Sequence, residues 1–278
     1  MNDQAGPKRS SGNLIIWILL VLGLIAGAYF LFKPADTSIP EPKITKPVVI
    51  EEPVKAPEVI PLQEYEAPQN TVEAEPLPAL NNSHASLLEN LKSLGSESLL
   101  GLLVSEELIR KFVLAVNGIQ EGKVVYEYRP VITPQAPFVV ESFNVMVDSN
   151  EVTQERIDNK NFARYESYVR ALALVDPDAT VNLYKRYYPL LEEAFREMGL
   201  KKKNFHSVLI GAIDNILAAP DIQGDLLLLH PKVFYQFADP SLEKLPQTHK
   251  LMLRMGPENA RSVKASLRQL RARLIKVN

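Results

Sequence analysis

The residues able to do chemistry in this chain are sparse and poorly matched to one another. Its four histidines are His84, His206, His230 and His249. No two stand at i,i+3 or i,i+4, so no helix offers the paired imidazoles of an H-E-x-x-H zinc site. Cysteine is absent. That excludes disulfides, zinc-thiolate and iron–sulfur sites, a thiol nucleophile and a lipidated N-terminal cysteine. Gly118-Ile119-Gln120-Glu121-Gly122-Lys123 imitates a phosphate-binding loop. It has one residue too few between its glycines, and Val124 stands where a hydroxyl would hold magnesium. Ser241-Leu242-Glu243-Lys244 has the S-x-x-K spacing in which a lysine can activate a serine, without the S-D-N and K-T-G partners. The expectation is no catalytic, metal-binding or cofactor-binding residue, and no cofactor.

Two clusters suit binding better than catalysis. Five of the ten tyrosines fall between Tyr165 and Tyr188, among Arg164, Arg170, Lys185 and Arg186. Ring faces beside cations suit a sugar or an anionic polymer, with Tyr165 and Tyr168 as the candidates. Against this, Tyr184, Tyr187, Leu191 and Phe195 recur at helical spacing, which favours the core for most rings. The second cluster is C-terminal. Arg261, Lys264, Arg268, Arg271, Arg273 and Lys276 stand against Glu258, a net charge of +5. Ala260, Val263, Leu267, Leu270 and Leu274 form a separate apolar stripe, so the helix is predicted to dock by one face and turn a basic face to solvent. Two heptads are too short for a free coiled coil. Arg261, Lys264, Arg268 and Arg271 are the candidate contacts for a lipid headgroup, an acidic glycan or an acidic protein. The competing reading is a solvated face whose cations favour the helix C-terminus.

These groups must be positioned by a chain of 278 residues, 46% hydrophobic and 23% charged, with a net charge of -2. Such a balance is ordinary for a globular protein and gives no reason to expect nucleic acid as a partner. The first part is not globular. Residues 1–13 form a short tail carrying Lys8 and Arg9. Residues 14–32, LIIWILLVLGLIAGAYFLF, hold no charge. As a transmembrane helix they span ~28 Å at ~1.5 Å per residue, close to the ~30 Å hydrocarbon thickness. Trp17 and Tyr29 lie near the ends, where amphipathic rings suit the headgroups. A signal peptide cut after Ala26-Gly27-Ala28 is the rival; the apolar run continuing through Phe32 favours an anchor. Gly23 and Gly27 form a G-x-x-x-G step that lets two helices approach, which suits a homodimer. Residues 33–80 hold 10 of the 21 prolines and a net charge of -5. This Pro/Glu-rich stretch lacks the apolar surface to offset its ordering entropy and is predicted to be a disordered, semi-extended linker.

Residues 81–278 are predicted to form one mostly α, multi-helix globular domain with a small β-hairpin or extended region near 122–149. Ser105 should cap a helix from Glu106 to Asn117 that Gly118 stops. Val124, Tyr126 and Tyr128 alternate as in a strand, as do Phe143, Val145 and Val147. Asp176-Pro177 should open a helix that Pro189 kinks or splits and Gly199 ends. Residues 205–218 read as a helix, and Pro246 and Pro257 each open another.

Tyr187-Tyr188-Pro189-Leu190-Leu191, Pro231-Lys232-Val233, Phe237-Ala238-Asp239-Pro240 and Leu253-Arg254-Met255-Gly256-Pro257-Glu258-Asn259 resemble the recurring patches of an uncharacterised bacterial family, domain of unknown function number three thousand and fourteen. The similarity spans residues 78–275 together with the anchor-and-linker layout; the stretch from Val139 to Asn159 is longer than the family pattern. The resemblance implies a bacterial single-pass envelope protein and carries over no catalytic residues. The expected protein sits in the inner membrane through residues 14–32, with its N-terminus cytoplasmic and its domain periplasmic. It is expected to be a non-enzymatic interaction or scaffold protein, meeting another envelope protein or a cell-wall polymer. The alternatives are a cell-wall or glycan-associated binding module and a hydrolase with an unrecognised site.

Overall fold

In the computed structural model the described residues are 62–69, 76–93, 100–134, 136–174, 176–199, 204–231 and 233–277. The predicted tail 1–13, the anchor 14–32 with Gly23 and Gly27, residues 33–61 and 70–75 of the linker, and Lys232 lie outside them. Among the described residues no helix is long and apolar enough to cross a membrane.

The domain is mostly helical with one small antiparallel sheet. Helix α1 (Ser83–Ser93) is followed by α2 (Leu108–Gln120), which buries Leu108, Ile109, Phe112, Val113, Val116 and Ile119. Both predicted ends of α2 move. Its N-cap is Glu107, left-handed at φ 51 and making no side-chain cap. Gly118 lies inside the helix, where a Cβ would come within 2.4 Å of Val125 Cγ2. Its missing side chain admits the returning chain rather than stopping the helix. The stop is Gly122, at φ 73. Its N–H donates to Ile119 O at 2.9 Å and Lys123 N–H to Gly118 O at 2.8 Å, the paired bonds of a glycine C-cap.

Two short helices, α3 (Lys160–Ala163) and α4 (Glu166–Ala173), precede the long α5 (Pro177–Glu197). Asp176 caps α5 as predicted, accepting from Asp178 N at 2.8 Å. The helix runs unbroken through Pro189. An interior proline costs about 3 kcal/mol, and fully buried Tyr184, Tyr187, Leu191 and Phe195 hold both sides of it. Next come α6 (Phe205–Leu217), α7 (Pro240–Glu243), α8 (Gln247–Arg254) and α9 (Pro257–Leu274). Helix α2 packs on α5 and α6, and α9 lies across α4, α5 and α6.

The sheet has the order β1-β2-β3-β4, with β1 (Val140–Val147), β2 (Asn150–Ile157), β3 (Leu227–Leu229) and β4 (Gln236–Phe237). Asp148 and Ser149, both left-handed at φ 48 and 65, make the two-residue turn that matches strand twist. The strand region thus ends at Ile157, beyond the predicted 149, while Val124, Tyr126 and Tyr128 form no strand. Ile157, Leu228, Phe237, Leu242 and Leu253 build a second, smaller core beside the sheet.

Residues 62–69, part of the predicted disordered linker, pack on α6. Tyr65 N–H donates to Ser207 Oγ at 2.8 Å, and Asn204 Nδ2 donates to Tyr65 O at 2.8 Å. Leu62 Cδ1 lies 2.3 Å from where a Cβ on Gly211 would stand. Leu62 and Tyr65 are half-buried and Pro68 is buried; their three-residue spacing is one that a proline-rich extended chain presents on one side.

Candidate functional site

The cations of α9 divide into two groups. One group holds the helix to the domain. Arg271 contacts the Asp214 carboxylate of α6 through Nε and, at 3.1 Å, through Nη2. Arg273 Nε donates to Asp178 Oδ1 at 2.6 Å, and that hydrogen bond lowers the Asp178 pKa below its ordinary value. Such pairing explains why these two side chains fold back instead of extending into solvent.

The second group lines a cleft of about 200 Å³. Pro257, Ala260, Arg261, Lys264 and Arg268 present one face of α9 to it, and residues 220–226 form the facing wall. Ile157, Phe162, Met252 and Leu253 add apolar surface. The cleft therefore runs along the junction of the two cores. Lys264 is the deepest cation, with its side chain only 3% exposed. Its Nζ donates to Asp221 Oδ1 at 2.6 Å and to Ala219 O at 2.5 Å. The expected solvent-facing position of Lys264 is corrected by these acceptors, which lie just past the C-terminus of α6, where a cation is favoured. Arg261 Nη1 donates to Glu258 Oε2 at 2.6 Å on the exposed rim. Arg268 is exposed and makes no ion pair among the described residues.

On the facing wall, Asp225 pairs with Arg156 of β2, which also donates to Glu141 at 3.0 Å. Donating hydrogen bonds to the Glu141 and Asp225 carboxylates raises the Arg156 pKa. The lining contains no serine, threonine, tyrosine or histidine side chain. Its two aspartates are tied to Lys264 and Arg156. This arrangement can hold a charged group; it does not pair a nucleophile with a base.

The predicted tyrosine platform is internal. Tyr165 and Tyr168 are 2% and 3% exposed, so their ring faces are not offered to solvent, and neither lines the cleft. The helical spacing that placed other rings in the core applies to these two as well. Burial pushes the Tyr168 phenol up to about 12, and its hydroxyl donates to Ile132 O at 2.9 Å. Tyr184 OH meets His206 Nδ1 at 3.0 Å, and Tyr187 OH accepts from Asn90 Nδ2 at 3.0 Å. Each phenol braces two elements. Burial also drives the His206 pKa down to about 4, against a smaller opposing effect of the Leu274 backbone. Arg164 is nearly buried, and its Nε and Nη2 have no hydrogen-bond partner among the described residues; desolvation lowers its pKa.

Ser241 donates to Asp239 Oδ1 at 2.7 Å, within the cap of α7, so its hydroxyl serves a turn. Among the described residues no three His, Asp or Glu side chains are grouped to hold a metal ion. Sequence reasoning missed Asp221, Asp225 and Phe162 as lining residues. The turn-forming run Pro220–Asp225, with Gly224 at φ 91, was the available signal for the wall.

The fold and site define a mostly helical domain with a small antiparallel sheet and a cation-walled cleft at their junction. Residues 108–271 match the family model described as Protein of unknown function (DUF3014), and, with more than half of its length covered, the chain belongs to that family. The matched stretch begins at the first residue of α2 and contains the whole cleft lining; it is narrower than the expected 78–275. No curated protein and no solved structure matches the chain.

Proposed function

We propose that this protein is a membrane-anchored, non-enzymatic interaction protein of the bacterial inner membrane, whose periplasmic domain receives a carboxylate-bearing segment of another envelope protein in the α9 cleft. The observation carrying this reading is the cleft wall: Arg261, Lys264 and Arg268 on one helix face above an apolar floor. An entering carboxylate can exchange with Asp221 at Lys264 Nζ and reach Arg268 with charge-assisted hydrogen bonds. Ile157 and Phe162 can cover the apolar residues beside it. With Tyr165 and Tyr168 buried, the rings expected to stack on a sugar do not support that reading.

Placement rests on residues 14–32 as an uncleaved anchor. With residues 62–69 docked on α6, residues 33–61 set the reach from the membrane, about 90 Å as a polyproline helix. Alkaline phosphatase fused after Asn278 should be active and a cytoplasm-dependent fluorescent protein dark; the reverse pattern overturns the orientation. Binding is tested by calorimetric titration of the full chain in detergent with a pentaglutamate peptide, pentalysine serving as control. Pentaglutamate should bind, weaken with salt, and lose roughly tenfold or more in affinity with Arg268→Gln. Equal binding of both peptides, or no change in the variant, would overturn the cleft as the docking site.

A further inference from the structure

The hairpin β1–β2 extends well past the sheet that carries it. Strand β3 pairs with β2 only at Glu155 and Arg156, so residues 142–153 have no third strand. A two-stranded ribbon is marginally stable in water unless another strand or a helix supports it. Strand β1 is also the edge of the sheet. Natural edges are usually protected by lysine, proline or a bulge. Ser142-Phe143-Asn144-Val145-Met146-Val147 has none of these and no charge at all. Among the described residues nothing pairs with its outer side.

The register fixes which backbone groups are free. Val147 opposes Asn150 across the two-residue turn, and Val145, Phe143 and Glu141 oppose Val152, Gln154 and Arg156. These odd-numbered residues exchange their hydrogen bonds with β2. The N–H and C=O groups of Ser142, Asn144 and Met146 therefore point outward. All three residues are exposed, Met146 at 69%.

We infer that this edge pairs with β1 of a second copy of the chain, antiparallel about a two-fold axis at Asn144, to give a continuous β2-β1-β1-β2 sheet. Two-fold registers centred anywhere from Ser142 to Met146 use the outward groups, and the length of strand paired and the side chains brought opposite discriminate among them. Centring on Met146 or Val145 runs the ladder into the turn at Asp148 and Ser149, leaving only Val145 to Val147 or Phe143 to Val147 paired. Centring on Ser142 pairs only Val140 to Asn144, and centring on Phe143 sets Glu141 opposite Val145 and leaves Val147 beyond the end of the partner strand. Centring on Asn144 sets Ser142 opposite Met146, Phe143 opposite Val145, and Glu141 opposite Val147. No like charges face each other, and two Phe143–Val145 pairs join on one face of the ribbon. Uncharged self-complementarity in this one register is why the occupant is a second copy rather than an acidic linker segment.

The absence of cysteine makes the register directly readable. Single Ser142→Cys, Asn144→Cys and Met146→Cys variants of the full chain, in native membranes, are exposed to a mild oxidant. In the paired state the two Asn144 Cα atoms stand ~5.5 Å apart, inside the disulfide window. The two Ser142 positions are four residues out of step, at roughly 14 Å. Asn144→Cys should form a disulfide dimer at least roughly tenfold faster than either other single variant. Co-expressed Ser142→Cys and Met146→Cys chains should cross-link to each other. Association through Gly23 and Gly27 alone would bring all three positions together without this preference, so it gives a different pattern. A second variant, Asn144→Pro, removes an outward N–H while leaving the bonds to β2, and should abolish amine-reactive dimer cross-linking of the otherwise unmodified chain. Equal rates at all three positions, no cross-link at Asn144→Cys, or dimers that survive Asn144→Pro would overturn the pairing.

Discussion

The helical core and the sheet core of this domain differ in depth and in what they leave exposed. Around α2, α5, α6 and α9 the buried side chains form one continuous cluster in which Phe112, Tyr184, Tyr187, Leu191 and Phe195 are sealed from solvent. Among the described residues the core beside the sheet holds seven buried side chains, and β3 and β4 are three and two residues long. The cleft lies where the two meet, and the ribbon with its uncharged outer edge, residues 142–147, springs from the smaller one. A rigid scaffold thus positions the cations of α9, while the facing wall belongs to turns with little buried apolar area. Segments that bind are commonly drawn from such weakly held parts of a fold.

The comparison breaks first, and most visibly, on core truncations. Leu191→Ala removes a fully buried side chain from the helical core and should cost about 2–5 kcal/mol, lowering the single thermal transition of the helices. Leu228→Ala, 4% exposed in the sheet core, should raise amide exchange mainly in β2–β4 and shift the helical transition less. Equal shifts of one shared transition would make the two cores a single cooperative unit.

A second test reads the helical core through pH. The folded-state pKa of His206 is about 4, below the ordinary value near 6.5. The unfolded chain therefore takes up the proton first, and stability falls as pH drops through the window from about 6.5 to about 4. The loss is of the order of 3 kcal/mol. Burial lowers the His249 pKa in the same direction, so His206→Gln should flatten the profile without abolishing it. A profile unchanged by this substitution would contradict the buried neutral imidazole.

The docked segment 62–69 gives a smaller effect. Gly211→Ala gains up to about 1 kcal/mol of helix propensity while occupying the space of Leu62. Proteolysis within residues 62–69 should accelerate while the helices melt no earlier. A segment that stays protected would mean that the Gly211 groove does not hold it. The smallest effect belongs to Arg273→Ala. Its partner Asp178 is mostly exposed, and exposed ion pairs contribute little, so melting should be unchanged within error.

Much of the helical part was legible because its signals are local. Asp176-Pro177, the apolar repeat from Tyr184 to Phe195, and Pro257 at the first position of α9 each carry their instruction within a few residues. The mostly α class with a small strand region follows from the same cues. What stayed hidden is non-local. Asn150–Ile157 reads Asn-Glu-Val-Thr-Gln-Glu-Arg-Ile, a polar strand recognisable only through its partner β1. Gly118 looks like a helix stop until Val125 is seen packed on it. Lys264 looks like one more solvated cation, because Ala219 and Asp221, which accept from it, lie more than 40 residues away in sequence. Residues 62–69 have a linker's composition, and the bare backbone of Gly211 under Leu62, with Ser207 and Asn204 bonding Tyr65, makes them part of the domain.

The central claim is that the α9 cleft docks a carboxylate-bearing segment, and amide chemical-shift mapping tests it most directly. Isotope-labelled full chain in detergent is titrated with pentaglutamate, alongside Lys264→Met, which keeps the buried stem and removes the charge. The account predicts shifts confined to residues 220–226 and 257–268 in the wild type, and their loss in Lys264→Met with the rest of the spectrum unchanged. Shifts centred elsewhere, or undiminished in Lys264→Met, would contradict it.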